Sequence, residues 1–339
     1  MATNRRANAT MFGFDFQVNA AILLMLENVG NLKTLRLEGE NEDIEIKLNN
    51  GNQILAQAKG IEKGSSDFRN VRGNLKKSLK TLSEAAERTK PEKMIVITNS
   101  FNPFNEETSH AIFAGPPTHR KYADLPLPAQ QIVDKYLSDI SEIPTPLDKD
   151  KLVIQTIPFE TDEDEERYKW IMQAVNDFMG KLSINVPGMG RQLLALWQND
   201  LSKNGTRKNS SIELSKKDLI WPMLVIVTDI EQTDEEFIDC INPDVYEEVV
   251  YYYKDLIDSC CERYEFFIRI LCDYNNFRGS STPSQRCIEF VNQKWNDYVE
   301  EFNIPGIDEE TQEVLTKIVL YNVVKRRLKI NKIKKGVNL

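Results

Sequence analysis

Polar and apolar residues alternate strictly over residues 43–48, where Ile44, Ile46 and Leu48 interleave with Asp43, Glu45 and Lys47, and alternation resumes from Gln53 to Lys59. A period of two marks a strand with one buried face. Between the two runs, Asn49-Asn50-Gly51-Asn52 supplies residues that tolerate positive φ, so the segment predicts a β-hairpin. Side chains two apart share a face; Gln57 and Lys59 therefore lie together, and pairing near the open end of the hairpin brings Asp43 towards them. The opposite, apolar face is expected to be buried.

Other elements follow from the same patterning. Residues 13–26, GFDFQVNAAILLML, form an apolar helix interrupted in its first turns by Gln17. After the hairpin come a helix over 71–90 and an apolar strand at Met94-Ile95-Val96-Ile97-Thr98. Residues 101–146 carry seven prolines around a helix at 128–140 and read as an insertion or connector, whereas 151–158 reads as a strand added to the same sheet. The acidic run Asp162 to Glu166 is read as the start of a helix reaching about Leu182, since negative charge faces the positive end of the helix dipole favourably, rather than as a metal cluster.

Beyond that point the pattern is helical. Helices are predicted at 190–201, at 215–227 with Ser215 as cap, over a long aromatic stretch at 246–274, at 283–302 and at 309–329. Helices apolar on several sides are buried among others or at subunit interfaces. The expected division is a sheet-bearing domain over 1–160, with an insertion at about 101–150, and an all-α partner-binding or oligomerisation domain over 161–339.

Composition leaves this picture standing. A chain of 339 residues, 41% hydrophobic and 28% charged, can hold two domains with sizeable cores. The apolar run 20–26 falls far short of the roughly 20 residues that cross a bilayer, and Glu27 follows it, so a cytoplasmic protein without a signal peptide or membrane span is expected. The five cysteines, Cys240, Cys260, Cys261, Cys272 and Cys287, show no C-x-x-C spacing and read as free thiols. Only two histidines occur, His110 and His119, both in a Pro- and Gly-containing stretch read as loop, which argues against histidine-built metal sites. The absence of a G-x-x-x-x-G-K-[ST] phosphate loop argues against ATP hydrolysis.

The formal charge of −9 is unfavourable for contact with nucleic acid, but its distribution is uneven. From Lys59 to Lys93 ten basic residues face five acidic ones. Lys63, Ser65, Ser66, Arg69, Arg72, Lys76, Lys77 and Lys80 are the candidates to cradle a DNA backbone, against the alternative of a solvated amphipathic helix. Residues 317–339 carry eight Lys or Arg and no acid, which suits either a helix C-terminus or contact with DNA or an acidic partner.

The hairpin holds the candidate chemistry. Asp43 is a hard oxygen ligand for Mg²⁺, Gln57 offers a second oxygen, and Lys59 can orient a water or stabilise charge on a phosphoryl group, the minimal set for metal-assisted phosphodiester hydrolysis. Glu38 and Glu42 are near enough in sequence to complete or hold the metal shell. The competing reading is a solvated strand face.

The order helix, hairpin, helix, strand and the motifs GFDFQxxAA, ExxxEDIEI and QAK resemble the PD-(D/E)xK, or restriction-endonuclease-like, family. The narrower resemblance is to the double-stranded-DNA nuclease domain on effectors of bacterial anti-phage systems such as CBASS and Lamassu, most of all the Lamassu nuclease subunit. It covers about the first 160 residues. It implies an α/β restriction-endonuclease-like domain with an αβββαβ core and mixed sheet, with Asp43 and Lys59 as catalytic residues, Gln57 as ligand or positioning group at the position usually held by Asp or Glu, and Glu38, Glu42 and Gln17 in support. A fainter resemblance links the helical half to effectors of ABC-three-component defence systems. The expected function is a Mg²⁺ (or Mn²⁺)-dependent DNA endonuclease held by an SMC-like ATPase and a small accessory subunit, active on double-stranded DNA after release and self-association. The alternatives are a non-catalytic scaffold that binds DNA or partners, and a cyclic-nucleotide-activated nuclease of CBASS type.

Overall fold

A computed structural model describes residues 4–62, 68–140, 147–229, 233–260, 264–302 and 305–339, with the side chains of 4–7, 68–70 and 253–260 outside that description. The chain divides into two compact units, one of residues 1–181 with 190–216 and the other of 182–189 with 217–339.

The first unit is α/β. Helix α1 (Asn4–Asn28) leads into β1 (Leu32–Leu37), β2 (Ile44–Leu48) and β3 (Gln53–Lys59), followed by α2 (Phe68–Thr89) and β4 (Lys93–Thr98). Then come α3 (Glu107–Phe113), β5 (Thr118–Lys121), α4 (Leu127–Ser138), β6 (Leu152–Thr156), α5 (Asp164–Arg167), α6 (Lys169–Lys181), α7 (Met189–Gly205) and the short β7 (Leu214–Ser215). The seven strands form one mixed sheet in the order β5-β6-β4-β3-β2-β1-β7. β1, β2 and β3 are antiparallel neighbours, whereas β3, β4 and β6 run parallel.

The hairpin forms as its alternation predicts, with Ile44 opposite Ala56 and Ile46 opposite Ile54, and Gly51 at φ +85° in the turn. Helix α2 buries Val71, Leu75, Leu79, Leu82 and Ala85, and its stripe packs with α4 onto Leu55, Met94, Val96, Leu152 and Ile154 of one sheet face. On the other face, α1 packs against β1, β3 and α6, burying Phe16, Ile22, Leu24 and Met25. The central strand is therefore covered on both sides: Leu55 and Gln57, on the face expected to be polar, are as buried as Ile54, Ala56 and Ala58 on the other.

Several expectations need correction. The N-terminal helix is 25 residues long rather than 14, and its stretch Asn8–Asn28, with mean hydropathy 1.4, is long and apolar enough by composition to cross a membrane; it serves here as a core helix. His110 and His119 lie on α3 and β5, not in a loop, and His119 Nε2 is 3.0 Å from Glu27 Oε1. The acidic run starts only the single turn α5, whose C-cap Tyr168 leaves helical geometry before α6 begins.

The sheet-bearing unit also takes in residues 161–181 and 190–216, beyond the expected boundary at 160. A buried arginine explains why. Arg36 on β1 donates to the carbonyls of Asn204, Ile212 (3.1 Å) and Arg207 (3.0 Å), while Asn204 Oδ1 accepts from Leu37 N at 3.0 Å. These bonds bind the end of α7 and the following loop to the sheet, where β7 adds to β1. Trp197, fully buried on α7, packs at a tilt against Phe178 of α6, with ring centroids 6.4 Å apart, and closes the same core.

The second unit is helical: α8 (Lys216–Val227), α9 (Glu235–Ile238), α10 (Pro243–Cys260), α11 (Tyr264–Asn276), α12 (Pro283–Lys294), a 3-10 segment (Trp295–Phe302), α13 (Glu309–Lys325) and α14 (Arg327–Gly336). Helix α13 is its axis. It buries Val314, Leu315, Ile318, Val319, Leu320, Tyr321, Val323 and Val324 against α10, α11, α12 and the 3-10 segment, and Asp308 caps it by accepting from Thr311 N at 2.9 Å. The long helix expected over 246–274 consists of α10 and α11, and the residues between them lie outside the description, as do Cys261 and the side chain of Cys260. Cys240, Cys272 and Cys287 are free thiols, the last buried.

Candidate active site

Asp43 stands one residue before Ile44, so the β2–β3 register directs it to the end of β3. There its Oδ2 accepts from Ala58 N at 3.0 Å and from Lys59 Nζ at 3.2 Å. The ion pair is partly sheltered, with the aspartate side chain 15% exposed and the lysine 32%. A carboxylate fixed by a backbone amide cannot follow its lysine about, which gives the pair a defined geometry.

The turn joining β1 to β2 brings further carboxyls to the same corner. Glu38 adopts a left-handed φ of +52°, Glu38 N donates to Asp43 O at 2.8 Å and Gly39 N to Glu42 O at 3.0 Å. Glu45 Oε1 accepts from Asn41 N and Glu42 N, at 2.5 and 3.1 Å, and steadies the turn from β2. A Cβ at Gly39 would lie 2.3 Å from that same carboxylate oxygen, so a side chain there would have to displace Glu45 from the turn amides.

Three acidic groups thus share a small space. Burial pushes the Glu42 carboxyl up to about 8, with the negative charge of Asp43 adding to the effect and Lys59 opposing it. Its Oε1 is buried without a hydrogen-bond partner among the described residues. Glu38 is likewise raised, first by burial and then by Asp43, while a hydrogen bond from Gln17 and the charges of Lys59 and Arg36 work the other way. Gln17, the polar interruption of α1, therefore reaches the site.

Gln57 has a different setting. It is 4% exposed, and its Oε1 accepts from Thr81 Oγ1 of α2 at 2.6 Å. The oxygen expected to help hold a metal is already tied to a helix, and only its second lone pair is left for a ligand.

Glu38, Glu42 and Asp43 bring hard carboxyl oxygens to one corner, with Glu38 and Glu42 held above their ordinary values chiefly by burial and one Glu42 oxygen orphaned. Among the described residues no three His, Cys, Asp or Glu side chains are already arranged to hold a metal ion. One or two protein oxygens with water and substrate completing the shell is the habit of Mg²⁺.

The proposed DNA-contacting residues divide. Lys63, Ser65 and Ser66 lie outside the described residues, as does the side chain of Arg69. Arg72 is committed to structure, donating to Phe104 O at 2.8 Å and Asn105 O at 3.0 Å, and Lys76 pairs with Asp139 at 2.9 Å. Lys80 lies 3.9 Å from Glu84 one turn on. Lys77 is exposed on the same helix.

Sequence reasoning missed several supports. Thr81, which holds Gln57, sits on a helix with no polar signal of its own. Asn99 was more findable, as a polar residue ending an apolar strand: it is fully buried, bonds both the N–H and the carbonyl of Ile61 at 2.8 Å, and donates to Phe159 O at 2.9 Å, which fixes the chain just beyond Lys59. Gly60 lets that chain pass, because a Cβ there would lie 2.8 Å from Phe16 Cβ of α1. Comparison of the chain with protein-family models, with curated proteins and with solved structures finds no match.

Proposed function

We propose that the first unit is a metal-dependent DNA endonuclease of restriction-endonuclease-like fold, the effector of a bacterial anti-phage complex of Lamassu type acting in the cytoplasm. The observation that carries this reading is the Asp43–Lys59 contact of 3.2 Å between the residue before β2 and the end of β3, with Glu38 and Glu42 beside it, in an αβββαβ element order.

Asp43 with Glu42 or Glu38 would hold Mg²⁺ or Mn²⁺, with Gln57 contributing its free lone pair. Such an ion polarises a phosphoryl oxygen and lowers the pKa of water. The remaining work falls to the chain's own groups. Lys59, oriented by Asp43, presents an ammonium for the charge that builds on the phosphoryl oxygens. Gln57, locked by Thr81, keeps α2 and β3 in register beneath it. Cleavage of both strands needs two such sites close together, which fits activation by release from an SMC-like ATPase and accessory subunit followed by self-association.

The test is plasmid cleavage by the full chain with Mg²⁺, as monomer and as isolated oligomers. Lys59→Ala and Asp43→Ala are each expected to slow cleavage by about a hundredfold or more. An inert wild type in every oligomeric state, or undiminished cleavage by Lys59→Ala, overturns the assignment. The engagement of Gln57 by Thr81 favours one rival, a non-catalytic scaffold that binds DNA or partners. That reading expects Asp43→Ala to leave phage protection intact while truncation of the C-terminal helices abolishes it.

A further inference from the structure

An open cleft of about 640 Å³ lies in the helical unit, where α11 ends, α12 begins and α14 starts. Its lining includes three arginines, Arg278, Arg286 and Arg327, with Ser280, Ser281 and Tyr274. None of the three guanidinium groups has a carboxylate partner among the described residues. Arg286 spends one nitrogen on the carbonyls of Tyr274 and Phe277, at 2.9 and 2.8 Å, and leaves its buried Nε without a partner. Arg327 donates to Val324 O at 3.0 Å, and both arginines lie over the Tyr274 ring, 4.7 and 5.3 Å from its centroid. Arg278 is exposed at the rim.

Like charges held together without counter-charge cost free energy in a folded protein, more so in a chain of net charge −9 that has acids to spare. The acids nearby are turned to other groups: Glu289 accepts from Ser280 N at 2.7 Å and Asp273 accepts from the Tyr298 hydroxyl, so neither forms an ion pair with the three arginines. The start of α12 adds to the positive field, because Thr282 turns its hydroxyl to Gln285 Oε1 at 2.7 Å instead of capping the helix, and Pro283 lines the cleft.

We infer that this cleft binds a small phosphorylated ligand, a mononucleotide or inorganic polyphosphate. Guanidinium forks match phosphate oxygens in pairs, and the volume lies in the range of small-ligand sites. Tyr274 is buried beneath two arginines, so it holds the guanidinium groups flat and is not itself a stacking surface. The inference is independent of the nuclease assignment.

Titration calorimetry on the full chain tests it, with ATP, AMP, pyrophosphate and orthophosphate as probes and a single-stranded 20-mer as competitor. At least one of the four phosphate compounds is expected to bind saturably below about 1 mM, and Arg278→Glu to weaken it by about tenfold or more with an unchanged unfolding midpoint. No saturable binding by any of the four, binding unaffected by Arg278→Glu, or binding of the 20-mer alone would each overturn the proposal. Competition by the 20-mer against a bound small phosphate leaves the site assigned and identifies the polynucleotide backbone as a second source of the same chemistry.

Discussion

The corner at Asp43 and the cleft at Arg286 concentrate opposite charges by different means. In the corner, backbone geometry does the work: a tight turn and a fixed strand register hold Glu38, Glu42 and Asp43 together, and burial then resists the ionisation of Glu38 and Glu42. In the cleft, side chains converge from helix ends and are braced by carbonyls and an aromatic ring. Glu38 and Glu42, buried and held beside Asp43 by the backbone, respond by holding their protons more tightly. Arginines cannot give up theirs at any ordinary pH, and so the cleft keeps its charge throughout. The two regions should differ most in how they answer to pH.

The largest expected effect follows directly. Glu42 has a folded value of about 8 against 4.5 for the free group. Because the folded state holds this proton more tightly than the unfolded chain, its stabilising contribution is complete below about pH 4.5 and is lost progressively as pH rises towards 8. Urea unfolding followed between those limits should show a loss on the order of a few kcal/mol from this group. Glu42→Gln should flatten that part of the profile; an unchanged profile would mean that Glu42 does not hold a proton in the folded state at neutral pH.

A smaller effect is expected in the cleft. Arg286→Ala removes two bonds to the end of α11 and a ring contact, and should destabilise the helical unit by about 2 kcal/mol, by the same amount at pH 5 and pH 8. Equal pH dependence in the Glu42 and Arg286 variants would erase the contrast between the regions. The smallest effect belongs to an exposed pair outside both. Lys76→Ala breaks a solvent-facing contact with Asp139 and should change the unfolding free energy by less than about 1 kcal/mol.

Much of the sheet was legible beforehand, because a two-residue period with an Asn-Gly turn leaves little freedom in how the strands pair. Asp43 and Lys59 meet for that reason, and the 68–89 helix follows from its apolar stripe. The extension of the first unit to residue 216 was not legible: Arg36 interrupts no pattern on β1, and its partners lie about 170 residues away in the chain. Charge counting over residues 59–93 made Arg72 and Lys76 candidates for a DNA backbone, yet Arg72 is bonded to the carbonyls of Phe104 and Asn105 and Lys76 is paired with Asp139.

By itself, then, the sequence determined which residues share a strand face, which long stretches are helical though not their exact limits, and that carboxylates and a lysine would gather at one end of a hairpin. These are properties of local periodicity, set by the pleat and by 3.6 residues per turn. Only the tertiary structure decided that α2 covers Gln57 and Thr81 bonds its oxygen, that Glu42 is buried and holds its proton, and that Arg327 joins Arg278 and Arg286 at one cleft. Burial, the loss of solvent and the pairing of charges depend on what packs overhead, and no short stretch of sequence contains that.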